Sequence, residues 1–224
     1  DIQGRMLFDH ANITIQTTWK LGLIGRNGRG KTTLLRLIQG ELPYEGKIEH
    51  QTEFLYFPQY ITDATNMTYQ VLEGFEEIEF WKLERELQLP EVNPDVLWLP
   101  YEQLSGGEQT KVLLAVLFVQ ESGFPLMDEP TNHLDHAARQ IVANYLKSKK
   151  QGFILVSHDR QLVDDVVDHI LSIERSQLVL HQGNFSQYEQ EKKRRDDFEV
   201  ASNIKIKKEI SRLNQTALEK AQWS

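Results

Sequence analysis

Apolar and polar positions along this chain fall into blocks whose period changes. Lys20-Leu21-Gly22-Leu23-Ile24 has the length and content of a buried strand. Residues 124–127 and 153–156 form two more such runs, each followed by polar residues. Helical stretches lie among them, from Lys31 to about Gln39 after a glycine-rich loop and over roughly residues 133–150. Strand-length runs alternating with helical ones predict an α/β fold, a mainly parallel sheet covered by helices. A block over about residues 61–120 interrupts that alternation with acidic helical sequence, such as residues 71–87, and reads as an inserted helical subdomain. Pro125 is out of place inside a central strand, because it offers no N–H to the ladder. The start of that strand is therefore expected to shift by a residue or two. Beyond position 188 the period is helical throughout. Ile206, Ile210, Leu213, Ala217 and Ala221 make one stripe in a stretch without Gly or Pro. That is the pattern of a coiled-coil arm or a helix needing a partner; a solvated helix lying on its own domain is the alternative.

Composition narrows the function classes. The 224 residues suffice for one α/β domain with an appendage, and 40% hydrophobic with 26% charged is ordinary for a globular protein. The net charge is −8, but residues 189–224 hold nine Lys/Arg against seven Asp/Glu, leaving −10 for residues 1–188. A basic nucleic-acid-binding domain is thereby excluded for the larger part, while the tail stays available as a local basic element. With no cysteine, disulfides, thiolate catalysis and Cys-based zinc sites are ruled out, which fits a reducing cytosol. The longest apolar run, residues 112–119, is far below the roughly 18–20 residues that span a bilayer. No signal peptide is visible, and a start at Asp1 rather than Met leads us to expect that the true beginning lies upstream.

Three motifs carry chemistry. Gly25-Arg26-Asn27-Gly28-Arg29-Gly30-Lys31-Thr32 fits G-x-x-x-x-G-K-[ST] between a strand and a helix. Glycines there let backbone N–H groups wrap phosphates, and the helix start turns its positive dipole toward them. Lys31 reaches the outer phosphates and the Thr32 hydroxyl ligates Mg²⁺, with Thr33 beside it. Phe124-Pro125-Leu126-Met127-Asp128-Glu129 is a buried strand ending in two carboxylates. Asp128 is placed to hold Mg²⁺ and Glu129 to orient or deprotonate an attacking water. In Leu104-Ser105-Gly106-Gly107-Glu108-Gln109, a serine and two glycine amides at a helix start form a second anion cradle.

Between a phosphate loop and an acidic strand, that last motif resembles the signature of ATP-binding-cassette (ABC) ATPases. The other markers of that P-loop NTPase family follow in order. Gln59 in Tyr56-Phe57-Pro58-Gln59 matches the Q-loop glutamine that senses Mg²⁺ and the γ-phosphate. Asp135 matches the D-loop, and His158 in Ser157-His158-Asp159 the switch histidine. The resemblance covers residues 5 to about 175. It implies ATP and Mg²⁺ as cofactors, with Thr32, Gln59 and Asp128 on the metal and Glu129, His158 and Gln59 in catalysis. Gly25, Asn27, Gly28, Gly30, Lys31, Thr32 and Thr33 would hold nucleotide in this chain. Asp135 is also implied at the nucleotide site, and Ser105, Gly106 and Gly107 would act in trans, so a second cassette is needed, in the same full-length chain or by homodimerisation. The family's adenine-stacking aromatic would fall at or before Asp1, and Phe8, the nearest substitute, is expected in the core.

Asn132-His133-Leu134-Asp135, Ser157-His158-Asp159-Arg160, and Gln182-Gly183-Asn184-Phe185-Ser186-Gln187-Tyr188-Glu189 followed by Lys192-Lys193-Arg194-Arg195 resemble the first cassette of the ABC-F family. Those proteins carry two cassettes in tandem and no membrane domain, and their helical interdomain linker enters the ribosome near the peptidyl-tRNA. The resemblance implies a cytoplasmic protein, a cassette over residues 1–188 and the start of that linker over residues 189–224, with ribosome, rRNA and peptidyl-tRNA as partners. The run Trp19 to Gly30 looks like the branch that protects ribosomes from lincosamides, streptogramin A and pleuromutilins. A housekeeping ABC-F translation factor, acting on elongating or stalled ribosomes, stays open as the alternative. An ABC transporter ATPase subunit also stays open, although it gives the charged helical tail no role.

Overall fold

The structure, a computed structural model, describes residues 7–222 except 10, 29, 76, 77, 121 and 175, and for 213–222 the backbone alone. The chain divides into two compact units, Asp1–Phe185 and Ser186–Ser224. In the first, the strands are β1 (Lys20–Ile24), β2 (Phe54–Phe57), β3 (Phe124–Asp128), β4 (Phe153–Val156), β5 (His169–Glu174) and β6 (Gln177–Gln182). They form one sheet in the order β2-β3-β4-β1-β5-β6, parallel except for the β5–β6 hairpin at one edge. The helices are α1 (Lys31–Ile38), α2 (Thr68–Glu73), α3 (Phe80–Leu87), α4 (Gly106–Val119), α5 (His136–Ser148), α6 (Arg160–Val166) and α7 (Phe185–Gln222). The expected α/β class, a P-loop sheet with helices, is what the chain adopts.

The apolar runs become the sheet because both of its faces are covered. Leu21, Leu23, Leu126, Ile154, Val156 and Leu171 join Leu34 and Leu35 of α1 in one core cluster. Gly22 leaves room for α6: a Cβ there would stand 3.0 Å from side-chain carbons of both Val163 on α6 and Ile170 on β5. In α4, Val112 to Phe118 are buried without a break, so the second half of this helix is apolar on every side, while Glu108 to Lys111 keep its first half polar.

The structure alters three expectations in detail. Pro125 stays inside β3, and the strand begins at Phe124 without the expected shift. The Phe124 N–H donates to Glu53 on the β2 side, so by alternation position 125 faces β4. There the ladder starts only at Leu126, and no bond is lost. The helix expected from position 133 begins at His136. His133 is left-handed at φ 69°, and the extended Asp135 caps the first turn by accepting from the Ala138 N–H at 2.7 Å. The acidic stretch 71–87 is two helices, α2 ending at Glu73 with Gly74 as its cap and α3 starting at Phe80, since glycine is a poor interior helix residue.

One polar cluster ties α3 to α5. The Glu86 carboxylate accepts from the Tyr145 hydroxyl and from the Lys149 ammonium, and that ammonium also lies 4.3 Å and 5.2 Å from the ring centres of Tyr145 and Phe118. Burial lowers the Lys149 pKa, and the carboxylate works against that shift. Burial, followed by the Glu86 charge, raises the Tyr145 pKa well above the usual phenol value.

In the second unit, α7 carries Phe198, Ile204, Ile206 and Ile210 exposed. Leu213, Ala217 and Ala221 of the anticipated stripe fall where only backbone is described. Among the described residues no helix is long and apolar enough to cross a membrane.

Candidate nucleotide site

The residues between β1 and α1 shape a cradle. Gly28 is left-handed at φ 71°, and Gly30, the residue that caps α1, at φ 98°. The φ at Gly30 asks for glycine, and a Cβ there would also come 3.3 Å from the Phe8 ring, close enough that the ring would have to give way. Helix α1 has neither a side-chain cap nor an acidic residue in its first turn, so its leading amides have no local anion. Lys31 folds back over the loop and donates to the Gly25 carbonyl at 3.0 Å, holding its charge at the mouth of the cradle.

β3 brings the acids. The Thr32 hydroxyl donates to Asp128 Oδ2 at 2.6 Å, joining phosphate loop and strand end. Glu129 continues the ladder through its N–H to Val156 at 2.8 Å, then turns into the left-handed region at φ 54°. A non-glycine residue there is strained, and such strain concentrates at functional sites. The turn sets its carboxylate against the segment after β4. Oε2 accepts the His158 backbone N–H at 3.1 Å, and Oε1, buried with no hydrogen-bond partner, lies 3.4 Å from His158 Nε2.

These groups line a cleft of about 320 Å³, at the small end for ligand sites. Asn27, Gly28, Gly30, Lys31, Thr32, Thr33, Asp128, Glu129 and His158, all anticipated from sequence, line it together. Gly25 does not line it, but its carbonyl accepts from Lys31. Gln59, Ser105, Gly106, Gly107 and Asp135 are not among the lining residues.

Gln59 Oε1 is buried and has no hydrogen-bond partner, the condition of an acceptor awaiting a ligand. Thr32 Oγ1, Asp128 Oδ2 and Gln59 Oε1 are all oxygen donors of the kind Mg²⁺ takes. A phosphate chain with Mg²⁺ therefore fits the residues present. Ser105 and Asp135 each serve a helix start. Ser105 accepts the Glu108 N–H at 3.3 Å while its hydroxyl and N–H bind the Glu108 carboxylate at 2.7 and 2.8 Å. The hydroxyl bond, then the backbone bond, holds the Glu108 pKa below the ordinary carboxylate range.

Leu7 and Val156 line the cleft without having been anticipated; an isolated Leu ahead of the first strand gives no signal. Phe8 packs against the core cluster, as its sequence position suggested, and the proposed place of the adenine aromatic lies outside the described residues.

The family model described as ABC transporter matches residues 8–132, more than half of the chain. The chain belongs to the ABC transporter family of ATP-binding cassettes. Ribosome protection protein VmlR of Bacillus subtilis is 31% identical over all of this chain and 39% of its own length. Erythromycin resistance ATP-binding protein MsrA of Staphylococcus epidermidis is 38% identical over 76% of the chain and 32% of its length. ABC transporter F family member 5 of Arabidopsis thaliana is 31% identical over 83% of the chain and 28% of its length. These relatives are ABC-F proteins, so this cassette is of the ABC-F type. It spans between about a quarter and two fifths of the relatives it matches.

Proposed function

We propose that this chain is the first ATP-hydrolysing cassette of a tandem ABC-F protein that binds the ribosome and protects it from antibiotics of the peptidyl-transferase centre. The observation that carries the ATPase part is the convergence of Thr32 and Asp128, joined at 2.6 Å, with Glu129 and His158 at the end of the Lys31 cradle. Lys31 and the loop amides hold the phosphates. Thr32, Asp128 and Gln59 would hold Mg²⁺, which would supply positive charge for the phosphates. Glu129 Oε1 takes the proton of the attacking water, and His158, fixed to Glu129 through its backbone, orients that water.

In this reading Ser105, Gly106, Gly107 and Asp135 serve the site of a second cassette, which accounts for their absence from this chain's own cleft. Residues 1–188 then form the cassette, with 61–120 as its helical subdomain, and residues 189–224 start a linker whose positive balance suits an RNA-facing element in the cytoplasm. The protective role is supported by the names of two relatives, one a ribosome protection protein and one an erythromycin resistance protein. A housekeeping ABC-F translation factor is the second reading, favoured by matches of similar strength to Arabidopsis F-family members and to ATP-binding protein Uup of Haemophilus influenzae.

Sedimentation of the full-length protein with ribosomes, carrying Glu129→Gln and the matching change in its second cassette, tests this. ATP-dependent co-pelleting, with drug protection in translation assays, is the expected result. Co-pelleting without protection would select the housekeeping role, and no ribosome binding would overturn both.

A further inference from the structure

Asp128 has a neighbour that neither the phosphate loop nor the acidic strand end accounts for. In the parallel register of β2 with β3, Phe54 pairs with Phe124 and Tyr56 with Leu126. Alternation then places Phe54, Tyr56, Phe124, Leu126 and Asp128 on one face of the sheet. Phe54 and Tyr56 pack there against the cluster that contains Leu34 and Leu35 of α1. From that packed position the Tyr56 hydroxyl reaches Asp128 Oδ2 at 3.4 Å, the same oxygen that accepts from Thr32 at 2.6 Å. A phenol anchored by packing has little freedom, whereas the terminal torsion of an aspartate is broad and needs partners to fix it. Tyr56 also stands three residues before Gln59, so one strand supplies this hydroxyl and leads to another oxygen of the proposed metal site.

We propose that Tyr56 is a positioning residue for Mg²⁺: its hydroxyl and that of Thr32 together hold the Asp128 carboxylate in one orientation, so that it meets the metal already set. The proposal rests on the ATP-site reading above. Outer partners of metal-binding carboxylates typically contribute about 10- to 100-fold in metal affinity, and a bond as long as 3.4 Å belongs at the low end. The test is Tyr56→Phe in the full chain, which keeps the ring and its packing. Binding of a fluorescent ATP analogue is titrated with Mg²⁺ and, separately, measured in EDTA. The expected result is an Mg²⁺ midpoint raised about tenfold with metal-free nucleotide affinity unchanged.

Phe54→Leu trims the neighbouring ring on the same face without touching the hydroxyl, and its Mg²⁺ midpoint is expected at the wild-type value. An unmoved midpoint in Tyr56→Phe overturns the proposal, as does an equal shift in Phe54→Leu, which would make the effect one of packing. If the wild-type chain shows no metal-dependent nucleotide binding, the ATP-site reading falls and this one with it. Normal wild-type binding with an unmoved Tyr56→Phe midpoint removes the role of Tyr56 alone.

Discussion

Replacing Glu86 by Gln keeps the shape of the α3–α5 tie and removes its charge. The Glu86 and Lys149 side chains are 16% and 12% exposed, so the ammonium left behind has little access to water. Breaking a fully buried ion pair on one side costs about 3–5 kcal/mol. Here two aromatic faces remain beside Lys149, at 4.3 and 5.2 Å, and each desolvated cation–π contact returns about 1 kcal/mol. Tyr145 meanwhile keeps an amide oxygen as acceptor. The net expectation is a loss of about 1–3 kcal/mol, or roughly 2–12 °C in Tm for a domain of this size. Lys149→Met should cost a similar amount, because it strands the carboxylate. The double variant should cost clearly less than the sum, with a coupling of at least about 1 kcal/mol. Thermal and urea unfolding of the four proteins measures this. Single losses below about 0.5 kcal/mol, or additive ones, would show that the pair behaves as an exposed surface bridge and that the tie carries no energy.

Other consequences are more direct. Glu129→Gln retains the hydrogen bond to His158 but cannot take a proton, so steady-state hydrolysis should fall about 10²–10⁴-fold while ATP binding persists; near-normal turnover would remove Glu129 from the role of base. Lys31→Ala should weaken ATP binding about 10- to 100-fold in an equilibrium titration, the worth of a charge-assisted hydrogen bond. Gly152→Ala puts a Cβ 2.4 Å from the Thr17 carbonyl oxygen and 2.5 Å from that of Trp19, both backbone, and should cost more than about 3 kcal/mol or abolish soluble expression. Burial pushes the Tyr101 phenol from 10.0 up to about 12. Between those values the unfolded chain releases a proton that the folded one keeps, so stability is full below pH 10 and declines as pH rises toward 12. The loss is about 2 kcal/mol and should be absent in Tyr101→Phe, read as unfolding midpoints across that range.

The parts of the fold most legible in the sequence are those where local pattern and global position agree. The run Lys20–Ile24 is apolar because β1 lies inside the sheet, and the glycines after it must adopt φ 71° and 98°. Strand, loop and helix were therefore all visible at once. The start of the D-loop helix was read three residues too early because helix propensity says nothing about a left-handed His133. Only the capping of Ala138 by Asp135 sets the start, and a lone Asp carries that signal weakly. Pro125 misled for the converse reason: its effect depends on which neighbour a particular N–H faces, and that is a matter of sheet order. Tyr56 was invisible as a site residue because an aromatic on an alternating strand reads as core, and it is core as well as a hydroxyl donor.

The groups missing from the cleft follow a physical pattern of their own. Ser105 and Asp135 cap α4 and α5, each already satisfied by its own helix. The Ser105 hydroxyl has one proton and gives it to Glu108, whose carboxylate occupies the place an anion would take at the start of α4. To serve a phosphate, Ser105 must turn that proton away from Glu108, and the incoming anion must compete with a carboxylate whose ionised form is already favoured there. Helix α1 stands in contrast, with no cap and no acid in its first turn and a lysine bent over its loop. The start of α1 is thus ready for an anion by itself, while that of α4 is closed by its own side chain until something stronger displaces it. That asymmetry is the one the proposed reading requires, in which the phosphate loop binds nucleotide alone and the signature turn engages only when a second nucleotide is brought against it.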